Sequence, residues 1–184
     1  MTDPLGPEPV AILVIDMQEG MFDGLVFPPI YDSGGLEARA QRVLVWARRT
    51  QKPVAFIRHD ASSGRALAPG APGWALRSTL GPEEDEPVFS KSLGDAFSQP
   101  ALCEWAQDLG VKRVLLLGAQ TDQCVAATLT GALERGMAVT VISDGHSTWA
   151  SNGETAADII ARYNELFVQA GATVVSAEAL NAEA

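Results

Sequence analysis

Cys124 is the residue best placed in the sequence for nucleophilic chemistry. It lies seven residues past Leu117, the end of an apolar run, and beyond a polar turn over residues 118–123. Thr121 is a good candidate for the N-cap of the next helix, which would put Cys124 at position N3. The N–H groups and dipole of a helix N-terminus favour a thiolate over a thiol. We therefore predict a nucleophile at Cys124, and interpret Cys103, on an apolar helix face, as a small buried hydrophobe.

A carboxylate and an amine also follow predicted strands. Asp16 directly follows the wholly apolar run 10–15. A carboxylate at this point needs a partner or a function, although Asp also caps turns well. Lys91 follows the short segment 88–90, and its spacing alone favours an exposed surface lysine. Neither residue, taken singly, decides between a structural and a functional interpretation.

The elements that would position these residues alternate between strands and helices. Continuous apolar runs rich in Val and Ile predict strands buried on both faces, and apolar residues at helical spacing predict helices between them. We predict strands at 10–15, 54–57, 88–90, 114–117, 139–142 and 173–175, and helices at 36–49, 98–109, 122–135 and 151–170. The last helix would open on a capping box formed by Ser151 and Glu154. This alternation predicts an α/β fold with three α/β/α layers and a mostly parallel six-stranded sheet with helices on both faces.

Ligands of open α/β sheets bind beyond the carboxyl ends of the strands. The residues that follow the predicted strands are 16–18, 59–60, 91, 118–124 and 144–149, and the three candidates above are among them. Residues 60–87 form a long irregular stretch rich in Gly, Pro and Ser. Its length favours a lid or a binding loop.

Composition excludes several other classes of protein. The 184 residues suit a single domain over 1–184, of which we expect 1–9 to be a flexible N-terminal segment. The formal charge of −10 argues against a nucleic-acid partner. No apolar run approaches the ~20 residues of a membrane span, and no secretory signal is recognisable, so a cytoplasmic location without membrane attachment is expected. The two histidines lack a shared ligand spacing, which disfavours a zinc enzyme.

Motifs spread along the chain resemble those of the isochorismatase-like cysteine hydrolases, which include nicotinamidases, carbamoylsarcosine amidases, biuret hydrolases and streptothricin hydrolases. Order and spacing agree roughly from residue 10 to residue 180. The matching segments are Asp-Met-Gln at 16–18, Lys91 after Val-Phe-Ser with Phe97 beyond it, Gly-Ala-Gln-Thr-Asp-Gln-Cys at 118–124, Ile-Ser-Asp-Gly-His-Ser-Thr at 142–148, and Tyr163-Asn164.

The resemblance implies a catalytic triad of Asp16, Lys91 and Cys124. Asp16 would take the thiol proton, Lys91 would stabilise the neighbouring anions, and the thiolate would attack a carbonyl carbon to form a thioester. It also implies a cis peptide bond between Ala119 and Gln120. The backbone N–H groups of Gln120 and Cys124 would then form the oxyanion hole.

Departures from the family bear on the substrate. Nicotinamidases carry an Asp-x-His pair and a further His that bind a metal, whereas the second strand here leads into Ile-Arg-His-Asp at 57–60. We therefore predict no metal and no other cofactor, and rank nicotinamide low. Family members that act on isochorismate can lack the cysteine. Its retention here favours hydrolysis of a C–N bond in a small molecule over cleavage of an ether.

The position of side chains near the strand ends suggests a substrate-binding set. The candidates are Gln18, Phe22, His59, Trp74 and Trp149. For the two tryptophans, packing in the core or at a subunit interface is an equally good interpretation. His146 is interpreted as a solvated loop histidine, and Asp144 as a cap on the turn after it.

Other readings of the sequence stay open. By resemblance we expect a homodimer or a homotetramer. The alternatives to an amide-type hydrolase are ether hydrolysis of the isochorismatase type, a non-enzymatic thiol redox sensor at Cys124, and a binding protein without activity. A flavodoxin-like nucleotide binder fits the topology, but no Gly-rich phosphate loop follows the first strand.

Overall fold

The sheet of the computed structural model, which describes residue 5 and residues 8–182, consists of six parallel strands. Its order is β3-β2-β1-β4-β5-β6, and every adjacent pair runs parallel. The strands are β1 Val10–Ile15, β2 Val54–His59, β3 Val88–Lys91, β4 Arg113–Ala119, β5 Ala138–Ser147 and β6 Thr173–Val175. The predicted α/β class and the parallel sheet are confirmed.

Helices cover both faces of the sheet because the side chains of its strands are buried on both sides. The helices of the described residues are α1 Ser33–Arg49, α2 Pro100–Asp108, α3 Ala126–Glu134, α4 Ala156–Gln169 and α5 Ala177–Ala182. Alternate residues of β1 enter two separate apolar clusters: Ile12 and Val14 pack with α1 and α5, while Leu13 and Ile15 pack with α2, α3 and α4. This period of two is that of a strand with two buried faces.

Several predicted boundaries are wrong. The helix after β5 begins at Ala156, not at residue 151, because Thr155 is its N-cap and accepts the N–H of Asp158. Ser151 and Glu154 instead pair with each other in an isolated antiparallel bridge. Two further corrections concern the site. β5, predicted to end at residue 142, runs on to Ser147, and the helix predicted from residue 122 is preceded by a π-helical turn, Thr121–Val125, so that α3 begins at Ala126.

Residues 60–87 pack against the segment that follows β1. Two short 3₁₀ helices lie within them, Pro72–Trp74 and Ser78–Leu80. The N–H of Glu19 donates to the carbonyl of Ala75, and the N–H of Arg77 donates to that of Met17. Residues 60–87 are therefore held beside the carboxyl end of β1.

The expected flexible segment 1–9 lies partly outside the described residues, which omit 1–4, 6 and 7. Of its described members, Leu5 is buried in the apolar core, and the carbonyl of Pro9 accepts the N–H groups of Lys112 and Arg113. Asp144 does not serve the turn after it; its carboxylate accepts the N–H of Ala177 at the start of α5. None of the helices in the described part of the chain is long and apolar enough to cross a membrane.

Candidate active site

The site forms where the order of the strands reverses. β1 and β4 are neighbours in the sheet but not in the sequence, so the connections leave them in opposite directions and open a crevice at their carboxyl ends. Gly118 permits their close approach. Its φ is +127°, and a Cβ there would lie 2.0 Å from the carbonyl oxygen of Ile15.

Asp16, Lys91 and Cys124 meet in this crevice. The ammonium of Lys91 lies 2.9 Å from Oδ2 of Asp16 and 3.2 Å from Sγ of Cys124. Asp16 follows β1 directly, and Lys91 is the last residue of β3. The surface interpretation of Lys91 is wrong, because the residue is only 3% exposed. A lysine so buried requires a charge partner, and Asp16 is that partner.

The electrostatics of Asp16 and Lys91 are set by burial and by their contact. Burial raises the pKa of Asp16 above 3.8, although the charge of Lys91 opposes the shift. Burial lowers the pKa of Lys91, but the negative charge of Asp16 and the hydrogen bonds to Asp16 and Cys124 outweigh it, so that this pKa lies above 10.5. The second carboxylate oxygen of Asp16, Oδ1, is buried and has no hydrogen-bond partner among the described residues. Asp16 is therefore a stronger base than an exposed aspartate, and its Oδ1 is available to accept a proton.

Cys124 lies in the π-helical turn between β4 and α3. The predicted N-cap is wrong, since the hydroxyl of Thr121 is bonded to Nδ1 of His146 and caps no helix. The N–H groups of Gln123 and Val125 instead donate to the carbonyl of Gln120. Burial, followed by the charge of Asp16, raises the pKa of Cys124 to about 12. The cysteine is therefore a thiol and needs a base, which is the role predicted for Asp16, although a helix N-terminus would favour a thiolate.

The peptide bond between Ala119 and Gln120 is cis, as the resemblance implied. Gln120 and Cys124 both line the cavity in front of Sγ. The assignment of their N–H groups to an oxyanion hole stays a prediction.

His146 lies behind the π-helical turn Thr121–Val125, which carries Cys124 and is called the nucleophile turn below, and holds it by a hydrogen bond to Thr121. It is 2% exposed, so its interpretation as a solvated loop histidine is wrong. Its Nε2 lies 3.0 Å from Oδ1 of Asn164, whose amide nitrogen donates to the carbonyl of Ser143. Nε2 therefore carries the proton, and Nδ1 accepts from the hydroxyl of Thr121. Burial lowers the pKa of His146 to about 4, so the ring is neutral at physiological pH.

A cavity of about 700 Å³ lies in front of Cys124. Four of the predicted site residues line it: Asp16, His59, Gln120 and Cys124. Asp122 and Gln123 also line it and lie within the predicted segment 118–124, although neither was named as a binding residue. Sequence reasoning missed the others, which are Met21, Leu67, Gly94, Ala126, Ala127 and Thr130. A signal for part of this set existed, since Ala127 and Thr130 lie at helical spacing from Gln123 on the turn and helix that follow β4.

Gln18 and Phe22 are not among the lining residues. The fully buried amide of Gln18 donates to the carbonyls of His59 and Trp74, and its oxygen accepts the N–H of His59. Phe22 is buried beneath the guanidinium of Arg77, 5.3 Å from its ring centre. Gln18 thus fixes the end of β2 beside the site, and the direct contact of either side chain with substrate stays a prediction.

The two tryptophans also lie outside the lining. The indole N–H of Trp74 donates to Asp60, and the guanidinium of Arg58 stacks on its ring at 3.6 Å. Trp149 donates to the carbonyl of Pro28, and its ring centre lies 5.9 Å from that of Phe27. These contacts match the packing interpretation of both residues, and their role in binding stays a prediction.

His59 faces the reactive groups from the end of β2. One of its ring nitrogens, a carboxylate oxygen of Asp16 and Sγ of Cys124 all lie within 4.8 Å of one another. Burial, and then the charge of Lys91, lower the pKa of His59. Within the described residues this trio is the group whose donors could hold a metal ion, and nitrogen, oxygen and sulfur suit zinc. That the protein works without a metal stays a prediction.

Fold and site together define a class of protein: a parallel α/β sheet that presents a buried Asp–Lys–Cys cluster at the carboxyl ends of its strands. Comparison with known proteins supports the fold part of this definition and identifies the family. Residues 10–179 match the model of the isochorismatase domain. The chain belongs to the isochorismatase family of hydrolases.

Relatives within this family differ in how much of them the chain covers. A streptothricin hydrolase from Streptomyces noursei is 32% identical over 139 residues, which is 76% of this chain and 54% of the relative. The chain thus spans about half the length of the curated relatives that it matches first. The crystal structure of a putative isochorismatase hydrolase from Oleispira antarctica has a TM-score of 0.87 and 26% identity, and covers 96% of this chain and 97% of its own. N-carbamoylsarcosine amidase from Thermoplasma acidophilum shares the fold, with a TM-score of 0.78, 22% identity, and coverage of 91% and 96%.

Proposed function

We propose that this protein is a cysteine-dependent hydrolase that cleaves a C–N bond of a small amide, lactam or carbamoyl compound through a thioester. The observation that carries this proposal is the position of the Lys91 ammonium, which contacts both Asp16 and Cys124 at the wall of the cavity. A thiol, a base of raised pKa and a fixed cation are what nucleophilic attack on a carbonyl carbon requires.

Acylation begins with transfer of the Cys124 proton to Asp16. The free oxygen Oδ1 of Asp16 is available for this proton, while Oδ2 stays on Lys91. As negative charge moves to Sγ, the ammonium of Lys91 at 3.2 Å stabilises it. Sγ then bonds to the carbonyl carbon, the C–N bond breaks, and the leaving nitrogen takes the proton from Asp16.

Deacylation uses the same base a second time. Asp16, again a carboxylate, removes a proton from water as the water oxygen attacks the thioester carbon. The C–S bond breaks, the acid leaves, and Sγ recovers a proton from Asp16. The backbone N–H groups of Gln120 and Cys124 are the proposed donors to the oxyanion in both steps.

Release of ammonia or amine from a panel of amides, lactams, ureas and carbamoyl compounds tests this function. The wild type is compared with Cys124→Ala, and Cys103→Ala is the matched control at the other cysteine. We expect turnover in the wild type and the control and a loss of more than about 10³-fold in Cys124→Ala. Equal rates in all three proteins contradict the nucleophile, and cleavage of vinyl ethers without release of amine would move the assignment to ether hydrolysis.

A further inference from the structure

The cavity in front of Cys124 has acidic and neutral walls. Among the described residues that line it, none is Lys or Arg. Two of them are carboxylates, Asp16 and Asp122. Glutamine and threonine side chains, at Gln120, Gln123 and Thr130, supply neutral hydrogen-bonding groups.

The two carboxylates differ in whether their negative charge is already paired. The charge of Asp16 is matched by the ammonium of Lys91 at 2.9 Å, with both side chains only 1% exposed. Asp122 accepts a hydrogen bond of 2.6 Å from the hydroxyl of Thr148, which is a neutral donor. The pair Asp16–Lys91 is formally neutral, so Asp122 gives the lining a formal charge of −1.

Basic side chains near the end of β2 are held elsewhere. The guanidinium of Arg58 stacks on Trp74 and donates to the hydroxyl of Ser90. Arg65, in the long loop, lines a separate cavity together with Asp23. Neither residue is among those that line the cavity in front of Cys124.

We propose that the site selects small substrates that are positively charged or neutral, with the cationic group directed at Asp122, and that it disfavours anions. This selectivity deepens the proposed function and rests on it, because the charged cavity is the one that contains Cys124. A bound carboxylate would lie in an acidic, partly enclosed space where the nearest cation described, Lys91, is already paired with Asp16. Charge interactions in such a space are stronger than in bulk water. Dicarboxylates such as isochorismate are thereby the poorest fit.

The charge of the cavity is measured at Cys124 itself with methanethiosulfonate reagents of opposite charge, ethyltrimethylammonium and ethylsulfonate. Sγ, once its proton has passed to a base, attacks the sulfur of the reagent that carries the charged ethyl group. The bond from that sulfur to the sulfonyl group breaks, methanesulfinate leaves, and the charged ethylthio group stays on Sγ as a mixed disulfide. Rates are read by mass spectrometry of the Cys124 peptide and divided by those of a free small-molecule thiol. We expect the cationic reagent to react roughly tenfold faster than the anionic one.

Two variants locate the source of that preference. Asp122→Asn keeps the oxygen that accepts from Thr148 but removes the charge, and we expect it to reduce the ratio of the two rates to about threefold or less. Asp108→Asn makes the same charge change at the exposed end of α2 and is expected to leave the ratio unchanged. A faster anionic reagent, or a ratio that Asp122→Asn does not alter, overturns the proposal.

The reagents report on the cavity whether or not the protein cleaves amides, so the two proposals can fail separately. Hydrolysis of a matched series, the cationic 4-aminobutyramide, the neutral butyramide and the anionic glutaramate, then tests whether catalysis shows the same charge selectivity. We expect kcat/KM to fall in that order. A preference for glutaramate would contradict the charge selectivity but not the cysteine hydrolase. If Cys124→Ala kept both the activity and the selectivity, the cysteine hydrolase would be contradicted.

Discussion

Lys91 is the residue on which the balance of the site depends. Burial of an isolated carboxylate or ammonium costs several kcal/mol, and contact between the two offsets that cost only where their geometry is good. Asp16 and Lys91 meet at 2.9 Å, and Lys91 has a second acceptor in Sγ of Cys124. The lysine therefore keeps Asp16 ionised, as a base must be, and lies where the thiolate will form.

Replacement of Lys91 by Met should abolish both effects. Without the ammonium, burial raises the pKa of Asp16 further. A larger fraction of its carboxyl groups is then protonated and unable to accept the thiol proton. We expect kcat/KM to fall by about 10²–10³-fold and the remaining activity to rise with pH. Steady-state kinetics between about pH 6 and pH 9 measure both changes.

A matched change at an exposed lysine separates this effect from a general one. Lys112→Met removes the same group from the surface and should leave kcat/KM within about twofold of the wild type. Lys91→Met leaves the charge of Asp16 buried and unpaired, which should lower the free energy of unfolding. The double variant Asp16→Asn, Lys91→Met removes both buried charges and should recover that free energy, but not activity. If Lys91→Met kept wild-type rates, its electrostatic role would be refuted.

Single residues were predictable from the sequence to different degrees. Asp16 and Cys124 stand out because each follows an apolar run, at the strand ends where ligands bind. Lys91 does not, because its burial results from the pairing of β3 with β2, which sets it opposite His59. Part of the lining was missed for the same reason: residues such as Met21 and Gly94 approach Cys124 through tertiary packing, which leaves no periodic trace in the sequence.

At the scale of elements, the turn between β4 and α3 determines where Sγ lies. Gly118 fits β4 against β1, and the hydroxyl of Thr121 ties the turn to His146 on β5. The carbonyl of Gln120 holds the turn from inside by accepting two N–H groups. The position of Cys124 relative to Asp16 is therefore set by the contact between β1 and β4.

Gly118→Ala should disrupt this contact. The new Cβ would lie 2.0 Å from the carbonyl oxygen of Ile15, and φ of +127° is unfavourable for any side chain. Because the obstacle is backbone, we expect a loss of more than about 3 kcal/mol in the free energy of unfolding, measured with urea. Gly136→Ala is the control, at a φ of +74° with open space around the Cβ, and should cost about 1 kcal/mol. Equal costs at the two sites would contradict the importance of the close approach.

Element boundaries were less predictable than the elements themselves. All six strands were predicted, the longer ones because continuous apolar runs mark them. β5 was expected to end at Ile142, since the polar residues that extend it to Ser147 resemble a loop. The start of α4 was misplaced because Ser151 and Glu154 have the spacing of a capping box, while Thr155 makes the actual cap. Local patterns identify candidate caps, and the packing of the helix decides between them.

For the molecule as a whole, the parallel sheet collects residues from distant parts of the chain. Asp16 and Cys124 are 108 positions apart in the sequence, yet both contact the ammonium of Lys91. His146 extends this integration, since its two ring nitrogens join the nucleophile turn at Thr121 to α4 at Asn164. A change in the protonation of His146 therefore affects the packing of several elements at once.

This arrangement predicts that stability falls on mild acidification. The pKa of His146 is about 4 in the folded protein and 6.5 for a free side chain, because burial disfavours the charged ring. Between these values the unfolded chain binds a proton that the folded chain does not, so the free energy of unfolding decreases as pH falls from 6.5 towards 4. From about pH 7 to about pH 5 the loss from this group is about 2 kcal/mol, which urea unfolding at the two pH values measures.

The matched variant is His146→Gln, which cannot titrate and retains groups that can bond to Thr121 and Asn164. It should be less stable than the wild type at neutral pH, because the ring packs edge-on against Phe167 at 5.7 Å between centres. Its further loss between about pH 7 and about pH 5 should be smaller by about 2 kcal/mol. Glu19 and Glu86, whose pKa values lie below 4.5 in the fold, titrate at lower pH and do not mask the difference. An equal pH dependence in wild type and variant would mean that His146 is not the group that limits stability in mild acid.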